Sequence, residues 1–534
     1  MRTLFRLAFA TLLACAMLLP VLSVQSAHAA DKDTLTYSWA SNVGPLNPHL
    51  YSPSQMFAQA LVYEPLVRYG KDGTVQPWLA ESWEISPDGK VYTFALRKNV
   101  TFSDGTPFDA DAVKKNFDAV LRNAESHDWL EFIAQIDKTE VVDAHTFRLT
   151  LKNSYYPALQ ELCLIRPMRF LSPSAFPDDG DTGKSIKAPV GTGPWKLVEI
   201  RRGEHDIFEA NENYWGEKPK FKRLVVKVIP DSDGRAVAFD TGVIDLIYGA
   251  GGHGAGQIGL DTFRRYAEMP GLKTDVSKPL ATRNFALNSK RFPTDDLAVR
   301  TAILHGVNKA AIVKHIFLGV EPQADTLFSP NMPYCDLGLA PFTHDLEKAK
   351  AGLEAAGWKT VAGSEYRMKD GKELALDLCF VGNDSLQKTV AEAVQGDLKR
   401  LGMKVRLVGE EADSFYTRQR TGEFGMIFGD TWGAPYDPHS FCSGMRVPSH
   451  ADYQAQLGLP MKEEIDRAIG EVLVSVDEDK RSELYRYIIT TLHEQAVYLP
   501  LSYMTNIYVH RPDLTGVDFG PTKYEMPFDS IGRQ

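Results

Sequence analysis

The sequence predicts a mixed α/β protein of at least two domains, and three observations carry that expectation. Its 534 residues exceed the ~250–300 at which a single hydrophobic core stops growing. Runs rich in β-branched and aromatic residues alternate with amphipathic stretches along the chain, the pattern of layered α/β domains. The composition, 44% hydrophobic and 24% charged, is that of an ordinary globular protein.

The elements follow in chain order. The first residues read MRTLFRLAFATLLACAMLLPVLSVQSAHAA: Arg2 and Arg6 give a positive start, an apolar run follows, and Ala27-His28-Ala29 supplies small-x-small cleavage chemistry. This is the pattern of an export leader over residues 1–29. Polar SVQSAHAADKD comes next where a membrane anchor would need more apolar length and a stop-transfer flank, and no later segment is apolar enough to span. Cys15 in LLAC loosely resembles a lipoprotein cleavage box, but Leu13 fits it poorly. Strands are expected at TLTYSWA, VYTFALR, HTFRLTL, LVVKVIP and VRLVG. LAVRTAILHGVNKAAIVKHIF carries apolar residues near helical spacing, and DLEKAKAGLEAAGW reads as a helix capped by Asp345 and ended by Gly357. Proline and glycine in GKSIKAPVGTGPW and around MPGLKTDVSKPLATRNFALN mark loops or crossings between domains.

Charge narrows the partners. Cleavage removes two arginines, leaving 57 basic against 69 acidic residues, near −12, so nucleic acid is not an expected partner. Four cysteines survive cleavage, Cys163, Cys335, Cys379 and Cys442, without a CxxC spacing, and the sequence does not pair them.

Residues 431–450, TWGAPYDPHSFCSGMRVPSH, concentrate candidate metal donors, yet the spacing of His439, Cys442, Met445 and His450 fits no common closed site. Two further motifs fail on context. GAGGHG at 249–254 satisfies GxGxxG after a strand-like VIDLIYG, but lacks a compact βαβ unit and reads as a loop. HEQAV at 493–497 begins like a zincin helix, but Val497 stands where the second imidazole must be. No GxSxG elbow is present, so catalysis is not expected, and an exported metal-dependent hydrolase is the least favoured reading.

Several ordered stretches resemble one family. QPWLAESWEISPDGKVYTFALRKNVTFSDGTPFDADAVKKNF, GTGPWKL, ENYWGEKPKFKRLVVKVIPDSDGRAVAFDTGVIDL, ALNSKRFPTDDLAVRTAILHGVNKAAI and HDLEKAKAGLEAAGW are similar to the large extracytoplasmic solute-binding proteins of ABC importers that serve peptides and nickel. VGPLNPHLYSPSQMFAQALVYEPLV, YYPALQEL, RQRTGEFGMIFGDTWGAPYDPHSF and MRVPSHADYQAQ resemble its nickel-binding branch. The resemblance implies a two-lobe periplasmic binding fold: lobe I from 30–280 plus 505–534, with an inserted subdomain at about 71–190, and lobe II from 281–504. It implies a monomer that delivers cargo to permease subunits, the cargo being a nickel ion with an organic chelator such as free histidine. Peptide or haem is the alternative cargo on the same scaffold.

The same resemblance implies the site. His450 contacts the metal, Arg166 holds a ligand carboxylate, and Tyr51, Met56, Trp129, Trp432 and Tyr436 line the cavity. A lone imidazole is too little for a labile divalent ion, so the remaining donors are expected to arrive with the cargo. The chain departs from the family where a second pocket arginine is expected, at Ser126; if VLRNAESHDW stays helical, Arg122 shares its face and stands in. His49, two residues before Tyr51, is the candidate second protein ligand, and His253 another that lobe closure would bring near. His439 reads as a hydrogen-bonded turn residue, with Cys442 and Met445 as core fillers.

Overall fold

The computed structural model describes residues 32–50, 56–249 and 257–534. The expected leader, Cys15, Tyr51 and His253 lie outside the described residues. Asp33–Gln534 gathers into one unit built on four principal sheets.

The first sheet opens with the first described strand and shares its core with the C-terminal residues. Thr34–Trp39 pairs in parallel with Arg223–Val228, which continues antiparallel to His205–Ala210 and Trp195–Arg201. Leu35, Tyr37 and Trp195 share its core with Phe528 and Ile531 from the C-terminal end. The second sheet is an antiparallel set ordered Ala80–Ile85, Val91–Leu96, Thr146–Leu151 and Ile136–Asp143. The helix Ala110–Arg122 covers it. Asp109 caps that helix by accepting from the Ala112 N–H, and Phe117 packs on Phe147 with centroids 4.9 Å apart.

The third sheet is five-stranded and mixed, in the order Lys404–Glu410, Ala375–Val381, Met426–Asp430, Ala281–Leu287 and Tyr498–Met504. Every residue of Ala281–Leu287 and of Tyr498–Met504 is buried, as expected for strands covered on both faces. Ser385–Lys399 and Leu297–Gly306 pack their apolar residues against it. The fourth sheet joins Leu246–Gly249, Ile507–His510 and Lys273–Val276.

The five strand-like runs of the sequence all fall in strands. Asp345 caps Leu346–Ala355, and Gly357 follows it at φ +89°. LAVRTAILHGVNKAAIVKHIF differs from a continuous helix. It breaks into Leu297–Gly306 and Lys309–His315 because the Asn308 side chain accepts from the Ala311 N–H and starts a second helix. Among the described residues, no helix is long and apolar enough to cross a membrane.

Candidate functional site

A cleft of ≈ 1410 Å³ opens between two walls. One wall is made by Ser126–Trp129 and Cys163–Arg166; the other comes from Ile427–Ala434 and His450–Asp452, with Phe441 behind it. Met56, at the start of the helix Met56–Val62, also reaches the cleft.

Four side chains form a continuous file from one wall to the other. The Arg166 guanidinium lies 5.6 Å from the Trp129 ring centroid, and Trp129 meets Trp432 edge-on at 6.0 Å. Trp432 in turn meets His450 edge-on at 5.6 Å and 78°. Cation–π and edge-to-face packing hold such planar groups in fixed mutual orientation. Gly444 makes the last contact possible, since a Cβ there would stand 2.4 Å from Trp432 Cζ2 and 2.8 Å from His450 Nδ1. The His450 backbone is extended, φ −93° and ψ 145°, immediately before the helix Ala451–Gln456. Burial holds its imidazole below the usual histidine range against the opposing pull of Asp128, which favours the neutral, metal-ligating form. Among the described residues, no three His, Cys, Asp or Glu side chains come together to hold a metal. This part of the cleft therefore sets the His450 imidazole, the flat faces of Trp129 and Trp432 and a guanidinium suited to a carboxylate side by side.

The structure brings His450, Arg166, Trp129, Trp432 and Met56 to one cleft. Three other expected residues sit elsewhere. The Tyr436 ring packs on Tyr69 at 5.0 Å and its hydroxyl donates to the Pro521 carbonyl at 2.6 Å, so it braces the wall rather than facing the cleft. Arg122 donates to the Asp179 carbonyl at 3.1 Å. Its helix ends there at the Asn123 cap and Ala124–His127 continues as a 3₁₀ turn, so Arg122 and Ser126 do not share an α-helical face. Ser126 lines the cleft without it. His49 is 0% exposed, with Nδ1 2.9 Å from Thr182 Oγ1 and Nε2 2.9 Å from Asn116 Oδ1. Both ring nitrogens are engaged within the protein, so in this structure His49 presents neither to the cleft. His439 is likewise engaged through both ring nitrogens, and Cys442 and Met445 are fully buried.

Sequence reasoning missed several cleft residues. Arg283 and Glu321 line it as a buried ion pair at 2.9 Å, and Asp430 pairs with Lys523 at 2.9 Å. Asp128 and Tyr524 line it too. Each ion pair joins positions far apart in sequence that carry no local motif; only the adjacency of Asp128 to Trp129 was open to notice.

The fold and cleft define a two-lobe solute-binding protein of mixed α/β architecture. The chain belongs to the bacterial extracellular solute-binding proteins, family 5: that family's middle-region model matches residues 74–453. It is 51% identical over 529 residues to the nickel-binding periplasmic protein of Escherichia coli (strain K12), covering 99% of this chain and 98% of that protein. The crystal structure of NikA from Brucella suis in complex with Fe(III)-EDTA matches with a TM-score of 0.91 at 54% identity, covering 94% of this chain and 100% of that one. The dipeptide-binding protein of Escherichia coli (strain K12) is 26% identical over 536 residues, covering 94% of this chain and 95% of that protein.

Proposed function

We propose that this protein is a periplasmic receptor that captures nickel as a small-molecule chelate and delivers it to the permease subunits of an ABC importer. The observation that carries the reading is the His450 imidazole, set across a tryptophan pair from the Arg166 guanidinium. One donor cannot hold a labile divalent ion, so the chelator supplies the rest and presents its carboxylate to Arg166. Free histidine has the required chemistry, with nitrogen donors and a carboxylate on one small molecule. The relatives named for nickel and solved with a metal chelate support the cargo.

On this reading the leader is cleaved after residue 29 and the mature chain acts as a monomer without catalysing a reaction. Its lobes comprise 30–280 with 505–534, and 281–504, closing on the cargo because the closed state binds it better. Tyr51 adds to the cavity lining. A peptide or haem cargo is the second reading, favoured by a cleft volume of ≈ 1410 Å³, above the roughly 300–1,000 Å³ of common small-molecule sites.

Calorimetric titration with nickel and a twofold excess of L-histidine tests the first reading. Wild type is expected to bind, and His450→Ala to bind at least about tenfold more weakly, through the lost coordination bond. Because burial depresses the His450 pKa, its ring stays neutral below the usual histidine range; affinity persists into mild acid and falls only as the ring protonates. Equal affinity in wild type and His450→Ala sinks the reading, and a spread of peptide masses on protein purified without added metal favours the second.

A further inference from the structure

Behind the cleft lies a buried polar cluster that neither ligand contact nor the sheets account for. Glu161 and His439 are each 1% exposed and Asp437 is 7% exposed. His439 Nδ1 lies 2.9 Å from Asp437 Oδ1, and its Nε2 lies 3.2 Å from Glu161 Oε1 and 3.0 Å from Ser440 Oγ. Glu161 also accepts from the Tyr155 hydroxyl at 3.0 Å and from the Phe132 N–H at 3.1 Å. Asp437 accepts from the Tyr156 hydroxyl at 2.8 Å, and Tyr156 and Tyr485 hydroxyls meet at 2.7 Å. The Arg481 guanidinium lies 4.7 Å from the Tyr156 ring centroid.

The cluster joins the two walls. Glu161 sits in the short helix Ala158–Leu162, which runs directly into Cys163–Arg166 of the cleft. His439 opens the helix His439–Gly444, which carries Phe441 to the cleft and sets Gly444 against Trp432 and His450. Backbone contact adds to the junction: the Tyr156 N–H donates to the Leu473 carbonyl at 3.1 Å, and the Ser154 hydroxyl to the Val474 carbonyl. Burial disfavours a charged imidazole, but Asp437 and Glu161 outweigh it and raise His439 to about 9, so the bridge is ionic at neutral pH.

We propose that Glu161 and His439 form a clasp that fixes the wall bearing Arg166 against the wall bearing His450, making both of them positioning residues for the chelate. The inference rests on the nickel-chelate reading above. A buried ion pair contributes little net stability, because desolvation offsets attraction, and loss of Glu161 leaves His439 paired only with Asp437 of its own wall. When the two sides of such a pair belong to surfaces that separate for cargo to leave, losing the attraction between them favours separation. Apparent affinity then falls in proportion to the fraction of molecules still closed.

The test uses the mature full chain, titrated with nickel and a twofold excess of L-histidine, with dissociation followed by stopped-flow fluorescence and melting recorded without cargo. Glu161→Gln is expected to raise Kd about tenfold, chiefly through faster dissociation. Changing both residues in Glu161→Gln/His439→Gln is expected to cost less than the sum of the single changes, since either change alone already removes the pair between the walls. Tyr156→Phe, which deletes one hydroxyl, gives a smaller loss in the same direction and serves if Glu161→Gln does not fold. A merely structural role predicts lower melting temperatures with Kd and dissociation rate within about twofold of wild type, and that result overturns the clasp. Failure of wild type to bind the probe overturns the nickel reading and the clasp together, and is distinguished by the wild-type titration alone.

Discussion

Gly444→Ala probes the contact on which the proposed site depends, because the atoms nearest the added methyl belong to the Trp432 and His450 rings. The new Cβ would stand 2.4 Å from Trp432 Cζ2 and 2.8 Å from His450 Nδ1. Non-bonded carbon atoms rest at about 3.5–4.0 Å, so the indole edge must retreat by about 1 Å or more and the imidazole by a similar amount. Overpacking of this kind costs about 1–3 kcal/mol, partly offset by up to about 1 kcal/mol of helix propensity gained from glycine to alanine. The protein should therefore fold, with net destabilisation of about 0–2 kcal/mol. A displacement of about 1 Å where binding depends on fixed geometry can cost up to about 100-fold. The expected outcome is a 10- to 100-fold rise in Kd for the nickel–histidine probe, measured by calorimetry, with a changed tryptophan emission from Trp432. A Kd within about twofold of wild type, in a protein of normal melting temperature, would refute the placement of His450 and Trp432 at the cargo.

Two further outcomes test the surrounding structure. Burial lowers His49 to about 4, so the unfolded chain, titrating near ~6.5, binds a proton that the folded protein refuses. Its contribution is complete above the unfolded value and is lost as pH falls toward 4, about 3 kcal/mol in all; His49→Gln should flatten the fall of melting temperature across that window, and an unchanged slope counts against it. Glu321→Ala removes the carboxylate that meets the buried Arg283 guanidinium through both oxygens; chemical denaturation should show a loss of about 3–5 kcal/mol, and a loss below about 1 would mean that the pair is not desolvated.

Much of the architecture was legible because strand and helix patterns are local. Thr34–Trp39 and Val91–Leu96 alternate as their sequences suggest, and Asp345 caps its helix through the neighbouring Lys348 N–H. The candidate binding residues were legible only through resemblance: nothing local distinguishes Arg166 from a surface arginine before proline. The misplacements have physical reasons of the same kind. Local spacing does not reveal that the helix bearing Arg122 stops at Asn123, so it cannot place Arg122 relative to Ser126. Nor does it show that Asn116 and Thr182 consume both nitrogens of His49, or that the Pro521 carbonyl takes the Tyr436 hydroxyl. The Glu161–His439 junction was invisible for the same reason, since neither residue's neighbours in sequence announce the other.

The four cysteines of the described chain, Cys163, Cys335, Cys379 and Cys442, are unpaired thiols, all buried. Burial raises every one of them above the ordinary thiol range, leaving little nucleophilic thiolate. A maleimide dye added to the folded mature protein should consequently ignore native positions and label only cysteines introduced on purpose. Donor and acceptor fluorophores could then be placed on opposite sides of the cleft without first stripping the background, turning the receptor into an optical gauge of its own closing.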